Sequence, residues 1–189
     1  MSHHLGACCV TLPTHLTSLS EYLADQTWHD DLALSSDAQE WLLATESLTE
    51  RLMSVTDGFA VHLVQQSNLP LHASERAVLQ DDQYVVREVV LHDAGIPLVF
   101  ARSVIPQSLC QGEFVGLANQ PLGKILFNDT RFVRQPFTLT QITQDSAFAQ
   151  AWDATADLFG RRSVFAYADS QLLVAEVFLP SSPAYGSSL

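Results

Sequence analysis

Apolar and polar positions repeat with a period of two over much of this chain, and with a helical period in only a few places. Apolar and polar residues roughly alternate from Phe59 to Gln65, which predicts a strand. Val-rich Tyr84–His92 and the mostly apolar Ile96–Ile105 flank Asp93-Ala94-Gly95. That pattern predicts a long β-hairpin, ended by Pro106. Pro97 falls at the start of the return strand, where a missing donor is tolerated. A further strand lies within Arg131–Ile142, with Pro136 marking an edge or a bulge. Ser163–Ala168 and Leu172–Leu179 predict two more strands across the turn Asp169-Ser170-Gln171.

Helices are shorter. Ser36 to Gln39 and Ser47 to Glu50 have capping-box spacing and predict helices over about 37–44 and 48–55. Pro121–Phe127 predicts a short helix with Pro in its first turn. Phe148, Trp152, Ala156 and Phe159 predict an amphipathic helix over Asp145–Phe159, ended by Gly160. Residues 106–120 read as a covering loop, 1–17 as a loose N-terminal arm and 180–189 as a tail. Strands joined by tight turns must be antiparallel. The predicted fold class is therefore α+β, one antiparallel sheet of about six strands with helices grouped on one face. No boundary divides the chain, so 1–189 reads as a single domain.

Composition narrows the function classes. An apolar fraction of 47% with 16% charged residues excludes intrinsic disorder. No apolar run approaches the ~20 residues that span a bilayer. Twenty-one acids against nine bases give a net charge of −12, which argues against nucleic acid or an anionic membrane as partner. Three cysteines imply no disulfide framework and suggest a reducing compartment. Leu5-Gly6-Ala7-Cys8 resembles a lipoprotein cleavage box but lacks the basic start and apolar stretch of a signal peptide. The prediction is a cytoplasmic protein. The seven histidines show no metal-ligand spacing, and no G-x-S-x-G, G-x-G-x-x-G or P-loop motif occurs.

Candidate chemistry comes from charges on apolar strand faces. Val85, Arg87, Val89 and Leu91 share one face of the hairpin's first strand, and Leu172, Val174, Glu176 and Phe178 share one face of the last strand. A lone charge among apolar side chains needs a partner. Arg87 and Glu176 either pair inside the sheet or line a cavity for a small carboxylate-bearing molecule. In the second case Arg87 would grip the carboxylate and Glu176 a hydroxyl at the other end.

Several segments bring a known family to mind by residue and order. They are Trp41-Leu42-Leu43 with Glu46-Ser47-Leu48-Thr49-Glu50-Arg51, Val86-Arg87-Glu88-Val89-Val90-Leu91, Ala101-Arg102-Ser103-Val104-Ile105-Pro106, Pro121-Leu122-Gly123-Lys124-Ile125-Leu126-Phe127, Gly160-Arg161-Arg162-Ser163 and Ala175-Glu176-Val177-Phe178-Leu179-Pro180 with Ser182-Pro183. In these the chain resembles the chorismate pyruvate-lyases, which form 4-hydroxybenzoate for ubiquinone synthesis. The resemblance implies a six-stranded sheet with helices on one side and helical and loop flaps over an enclosed cavity. It implies a cofactor-free, metal-free monomer that takes chorismate, releases pyruvate and is inhibited by its product. It places ligand contacts on Arg87, Leu122 and Glu176, with Arg87 and Glu176 in the chemistry. Leu48 stands where the family has methionine, and is a further binding residue. Arg102, Arg161 and Arg162 match family motifs and read as salt-bridge residues. The alternative is a non-catalytic sensor domain of similar fold that binds small aromatic acids.

Overall fold

The computed structural model describes residues 12–13, 16–80, 83–111 and 122–186. Most of the N-terminal arm, Cys8 and Cys9, and residues 112–120 of the covering loop lie outside the described residues.

The period-two segments all become strands of one antiparallel sheet. They are β1 (Phe59–Ser67), β2 (Tyr84–Asp93), β3 (Ile96–Pro106), β4 (Val133–Arg134), β5 (Thr138–Ile142), β6 (Leu158–Tyr167) and β7 (Ser170–Phe178). The order is β1-β2-β3-β7-β6-β4, with β5 also pairing β6. The predicted hairpin is β2–β3, closed by Ala94 and Gly95 with φ of 45° and 94°. Two successive positive φ values make the tight turn whose twist matches the strands.

The sheet has seven strands rather than six because Pro136 splits the stretch 131–142. β4 and β5 each pair with β6 on either side of that interruption. A second difference concerns 145–159. Only α6 (Ala147–Ala151) is helical, and Asp153 turns the chain away at a φ of 54°. Asp157 then accepts hydrogen bonds from the Gln144 amide and the Gln141 side chain, which ties the chain into β6. Phe159 and Gly160 therefore belong to a strand, and Gly160 ends no helix. A Cβ on Gly160 would sit 3.1 Å from the Glu176 carbonyl oxygen across the β6–β7 pair.

Helices α1 (Ser36–Leu42) and α2 (Leu48–Val55) start where hydroxyl caps place them. Ser35 accepts from the Ala38 amide and Ser47 from the Glu50 amide. The cap of α1 is thus one residue earlier than the sequence spacing suggests. Also present are α3 (Ala73–Arg76), α4 (Gln107–Cys110), α5 (Leu122–Asn128) and two 3-10 helices, Leu16–Leu23 and Pro183–Tyr185. In the tail the Tyr185 hydroxyl accepts from the Phe159 amide at 2.9 Å and donates to the Phe178 carbonyl at 2.8 Å.

Helices cover both faces of the sheet. α1, α2 and α5 stand over the face of Val89, Leu91, Ala101 and Phe165, as the grouping on one face anticipates. The first 3-10 helix and α6 pack on the other face, against Val90, Phe100 and Val177. α3 joins them there through Glu75. The central strands β2 and β3 are therefore buried on two sides, which is why the hairpin reads as nearly continuous apolar sequence.

Candidate functional site

Strand register decides which charges meet. Residues directly opposite one another in an antiparallel pair share a face. Arg87 lies opposite Ser103, Ala101 opposite Glu176, and Glu176 opposite Arg161. All of them face the side covered by α2 and α5. Between that face and those helices is a cavity of about 230 Å³. Its walls are mainly aliphatic and aromatic, with Val89, Leu91, Val174 and Phe165 on the floor and Leu48, Leu122, Leu126 and Phe127 on the helical side. Arg87, Glu176, Leu48 and Leu122, from four separate elements, all line it.

The two helices close on each other at a glycine. A Cβ at Gly123 would lie 3.0 Å from the Ser47 hydroxyl and 3.4 Å from that of Thr49, so a small residue lets α5 approach the start of α2. Leu48 and Leu122 are the first residues of these helices. Amide groups in a first helical turn have no partner within the helix.

Arg87 and Glu176 do not pair with each other. Glu176 accepts a hydrogen bond from Arg161 Nε at 2.6 Å. Its other carboxylate oxygen makes no bond to a described residue. Arg161 is 2% exposed and also donates from Nη1 to the carbonyls of Trp41, Leu42 and Ala44 at 2.9–3.2 Å. One guanidinium thus clamps Glu176 and the end of α1 together. Arg87 is different. It is half-buried, its Nε is buried without a hydrogen-bond partner, and no described carboxylate pairs with it. Burial holds its guanidinium below the usual arginine range. An anion entering the cavity would meet an unmatched donor in an apolar wall, where such a contact is strongest.

Arg161 forms the salt bridge its motif suggests, but its place in the cavity and that of Arg134 have no sequence signal. Arg161 lies between the helix predicted to end at Gly160 and the strand predicted from Ser163; β6 in fact begins at Leu158, which puts Arg161 on the Glu176 face. Arg134 lines the cavity from β4, two residues before Pro136. The other two motif arginines lie elsewhere. Arg102 forms ion pairs with Glu75 and Glu88 on the opposite face of the sheet. Arg162 forms no ion pair among the described residues; it lies over the Trp28 ring at 4.6 Å and donates to Thr138 Oγ1. Among the described residues no group of three or more His, Cys, Asp or Glu could hold a metal ion, and no helix is long and apolar enough to cross a membrane.

Comparison with known proteins agrees with the segment resemblance. The family model described as chorismate lyase matches residues 22–188. A probable chorismate pyruvate-lyase of Pseudoalteromonas atlantica is 42% identical over 178 residues, covering 88% of this chain and 93% of the relative. One from Shewanella sp. (strain MR-7) is 38% identical over 157 residues, covering 78% and 82%. Among solved structures, the effector domain of PhnF from Mycobacterium smegmatis matches 73% of this chain and 91% of its own, with a TM-score of 0.51 at 16% identity, a likeness of fold alone. The match to the family model over most of its length, together with relatives of this identity, shows that the chain belongs to the chorismate lyase family.

Proposed function

We propose that this protein removes pyruvate from chorismate to give 4-hydroxybenzoate, supplying the aromatic acid for ubiquinone synthesis. It does so as a monomer without metal or organic cofactor. The observation that carries the reading is the Arg87 guanidinium, which has no ion-pair partner among the described residues, on the wall of an apolar cavity that also holds Glu176. The names of the family relatives point to the same reaction.

Arg87 binds the ring carboxylate, with amide donors near Leu48 and Leu122 alongside. Glu176, fixed by Arg161, takes a hydrogen bond from the ring hydroxyl with its free oxygen and serves as the acid–base group. In the reaction the ether bond between ring and enolpyruvyl oxygen breaks, and the ring carbon bearing the hydroxyl loses its hydrogen as a proton. The enol carbon gains a proton, giving pyruvate, and the ring becomes aromatic. That gain makes the chemistry downhill, so the protein's work is to hold one conformer, keep water out and guide the proton. A ligand held this closely also leaves slowly, so 4-hydroxybenzoate inhibits.

Pure protein mixed with chorismate should release pyruvate and 4-hydroxybenzoate in equal amounts. Glu176→Gln should lower kcat by about 10²–10⁴-fold while thermal unfolding stays cooperative. Absence of pyruvate from the wild-type protein overturns the reading. Tight 4-hydroxybenzoate binding without turnover would favour the non-catalytic sensor instead.

A further inference from the structure

The cavity carries more positive charge than one carboxylate requires. Among the described residues its wall holds Arg87, Arg134, Arg161 and Glu176, a surplus of two positive charges. This occurs in a chain whose net charge is −12. Glu176 matches Arg161. Arg87 and Arg134 remain, and neither has an ion-pair partner among the described residues.

The two lie on opposite sides of the Glu176–Arg161 pair. Arg134 in β4 is opposite Phe165 of β6, and so faces the cavity side with Arg161. The sheet order puts β3, β7 and β6 between the strand of Arg87 and that of Arg134. At about 4.8 Å per strand step the two Cα atoms are roughly 19 Å apart. Two extended arginine side chains reduce that span to the length of a small dicarboxylate.

Arg134 is also held ready. Its Nη2 donates to the Thr45 carbonyl at 2.8 Å, and its guanidinium lies over Phe137 at 4.5 Å and Phe127 at 5.4 Å. Its other donors make no bond to a described residue. Burial first, and then the neighbouring Arg161 charge, hold it below the ordinary arginine range despite Glu176 and Glu46. Arg161 is a poorer candidate for a second anion, because Nε and Nη1 are already committed.

We propose that Arg134 binds the second carboxylate of a dianionic substrate, the one on the enolpyruvyl group, and so distinguishes substrate from monoanionic product. This rests on the lyase reading above. The three groups of the ligand then each have a partner: the ring carboxylate at Arg87, the para hydroxyl at Glu176, and the carboxylate of the side chain, carried on the ring carbon next to the hydroxyl, at Arg134. Once the ether bond breaks, the carboxylate held by Arg134 belongs to pyruvate, and the aromatic product keeps only the Arg87 contact.

The test uses calorimetric binding of two unreactive ligands, 4-hydroxybenzoate and its dicarboxylate derivative 3-(carboxymethoxy)-4-hydroxybenzoate, alongside chorismate turnover. Wild-type protein should bind the dicarboxylate more tightly than the monoacid. R134M should weaken the dicarboxylate and raise KM for chorismate by about 10–100-fold, the usual range for one charged hydrogen bond. It should leave the monoacid within about threefold. R134K should recover part of the loss. If R134M does not fold, R134K and R134Q carry the same comparison. Equal weakening of both ligands, no weakening of either, or wild-type protein that does not prefer the dicarboxylate overturns the proposal. A wild-type protein that makes no pyruvate, yet shows the two-ligand difference, would overturn the lyase reading and leave Arg134 as a dicarboxylate site.

Discussion

The two faces of the sheet hold similar charged residues to opposite effect. On the face under α3, Arg102 is saturated. Its Nε donates to Glu75 at 2.7 Å, Nη1 to Glu88 at 2.8 Å, and Nη2 to Glu75 at 3.0 Å and to the Pro70 carbonyl at 3.1 Å. Glu88 also accepts from Gln65. Cavities of about 20 Å³ and about 330 Å³ both adjoin Arg102, so open space alone does not set the two faces apart. On the face under α2 and α5, Arg87 has no described partner and the cavity is about 230 Å³. A charge whose hydrogen bonds are met inside the protein has nothing left for a ligand. A charge left unmet beside open space is costly in the empty protein and is repaid on binding. The difference between a strut and a binding group is therefore in the partners, not in the residue type.

The largest effect should come from breaking the saturated side. Arg102→Met leaves two buried carboxylates facing each other and should cost about 3–5 kcal/mol of stability by denaturant unfolding. Neutralising both partners as well, with Glu75→Gln and Glu88→Gln, should restore part of it. A loss of less than 1 kcal/mol in the single variant would erase the contrast between the faces.

Arg87→Ala should behave the other way. It should weaken 4-hydroxybenzoate binding by about 2–5 kcal/mol, measured by calorimetry. Its unfolding free energy should stay within about 1 kcal/mol of wild type, because no internal ion pair is lost. Unchanged affinity would remove Arg87 from the ligand site.

Acid should act on the saturated side. Burial foremost holds the His72 imidazole below its ordinary 6.5, with Arg102 and Arg76 acting the same way against Glu75 and Glu88. Burial alone would raise the Glu75 carboxyl, but the hydrogen bonds and charge of Arg102 outweigh it and hold it below 4.5. Both folded values lie below the unfolded ones, so the unfolded chain takes up protons first. These contributions are complete above the unfolded values and are lost as pH falls, His72 first and Glu75 later. His72→Gln should flatten the decline as pH falls below about 6.5, by at most about 1.4 kcal/mol per pH unit. A slope equal to wild type over that range would show that His72 carries none of it.

The smallest effect is expected at the roof of the cavity. Leu48→Met keeps volume and apolar character, and should change stability by less than about 1.5 kcal/mol. A much larger change in KM for chorismate would show that side-chain shape at this position, rather than the main chain, sets the fit.

Much of this was legible in the chain. The β2–β3 hairpin, its turn and the parity of Arg87 follow from a period that operates over a few neighbouring residues. The same parity placed Glu176 with Leu172, Val174 and Phe178. The strand face of Arg161 was hidden because Phe148, Trp152, Ala156 and Phe159 happen to share helical spacing, although the backbone leaves the helix at Asp153. The partner of Arg102 was not legible either. Glu75 lies 27 residues away in a four-residue helix that follows a loop, and no periodic signal marks it.

By itself, then, the sequence determined most of the local choices: most of the strands, the hydroxyl cap of α2 and that of α1 to within one residue, and which residues share a face of those strands. Those depend on backbone preference and side-chain alternation, which act between near neighbours. Only the tertiary structure decided which guanidinium meets which carboxylate and which is left facing a cavity. Pairing of that kind depends on strand order and on what covers each face, and these bring together residues far apart in the chain.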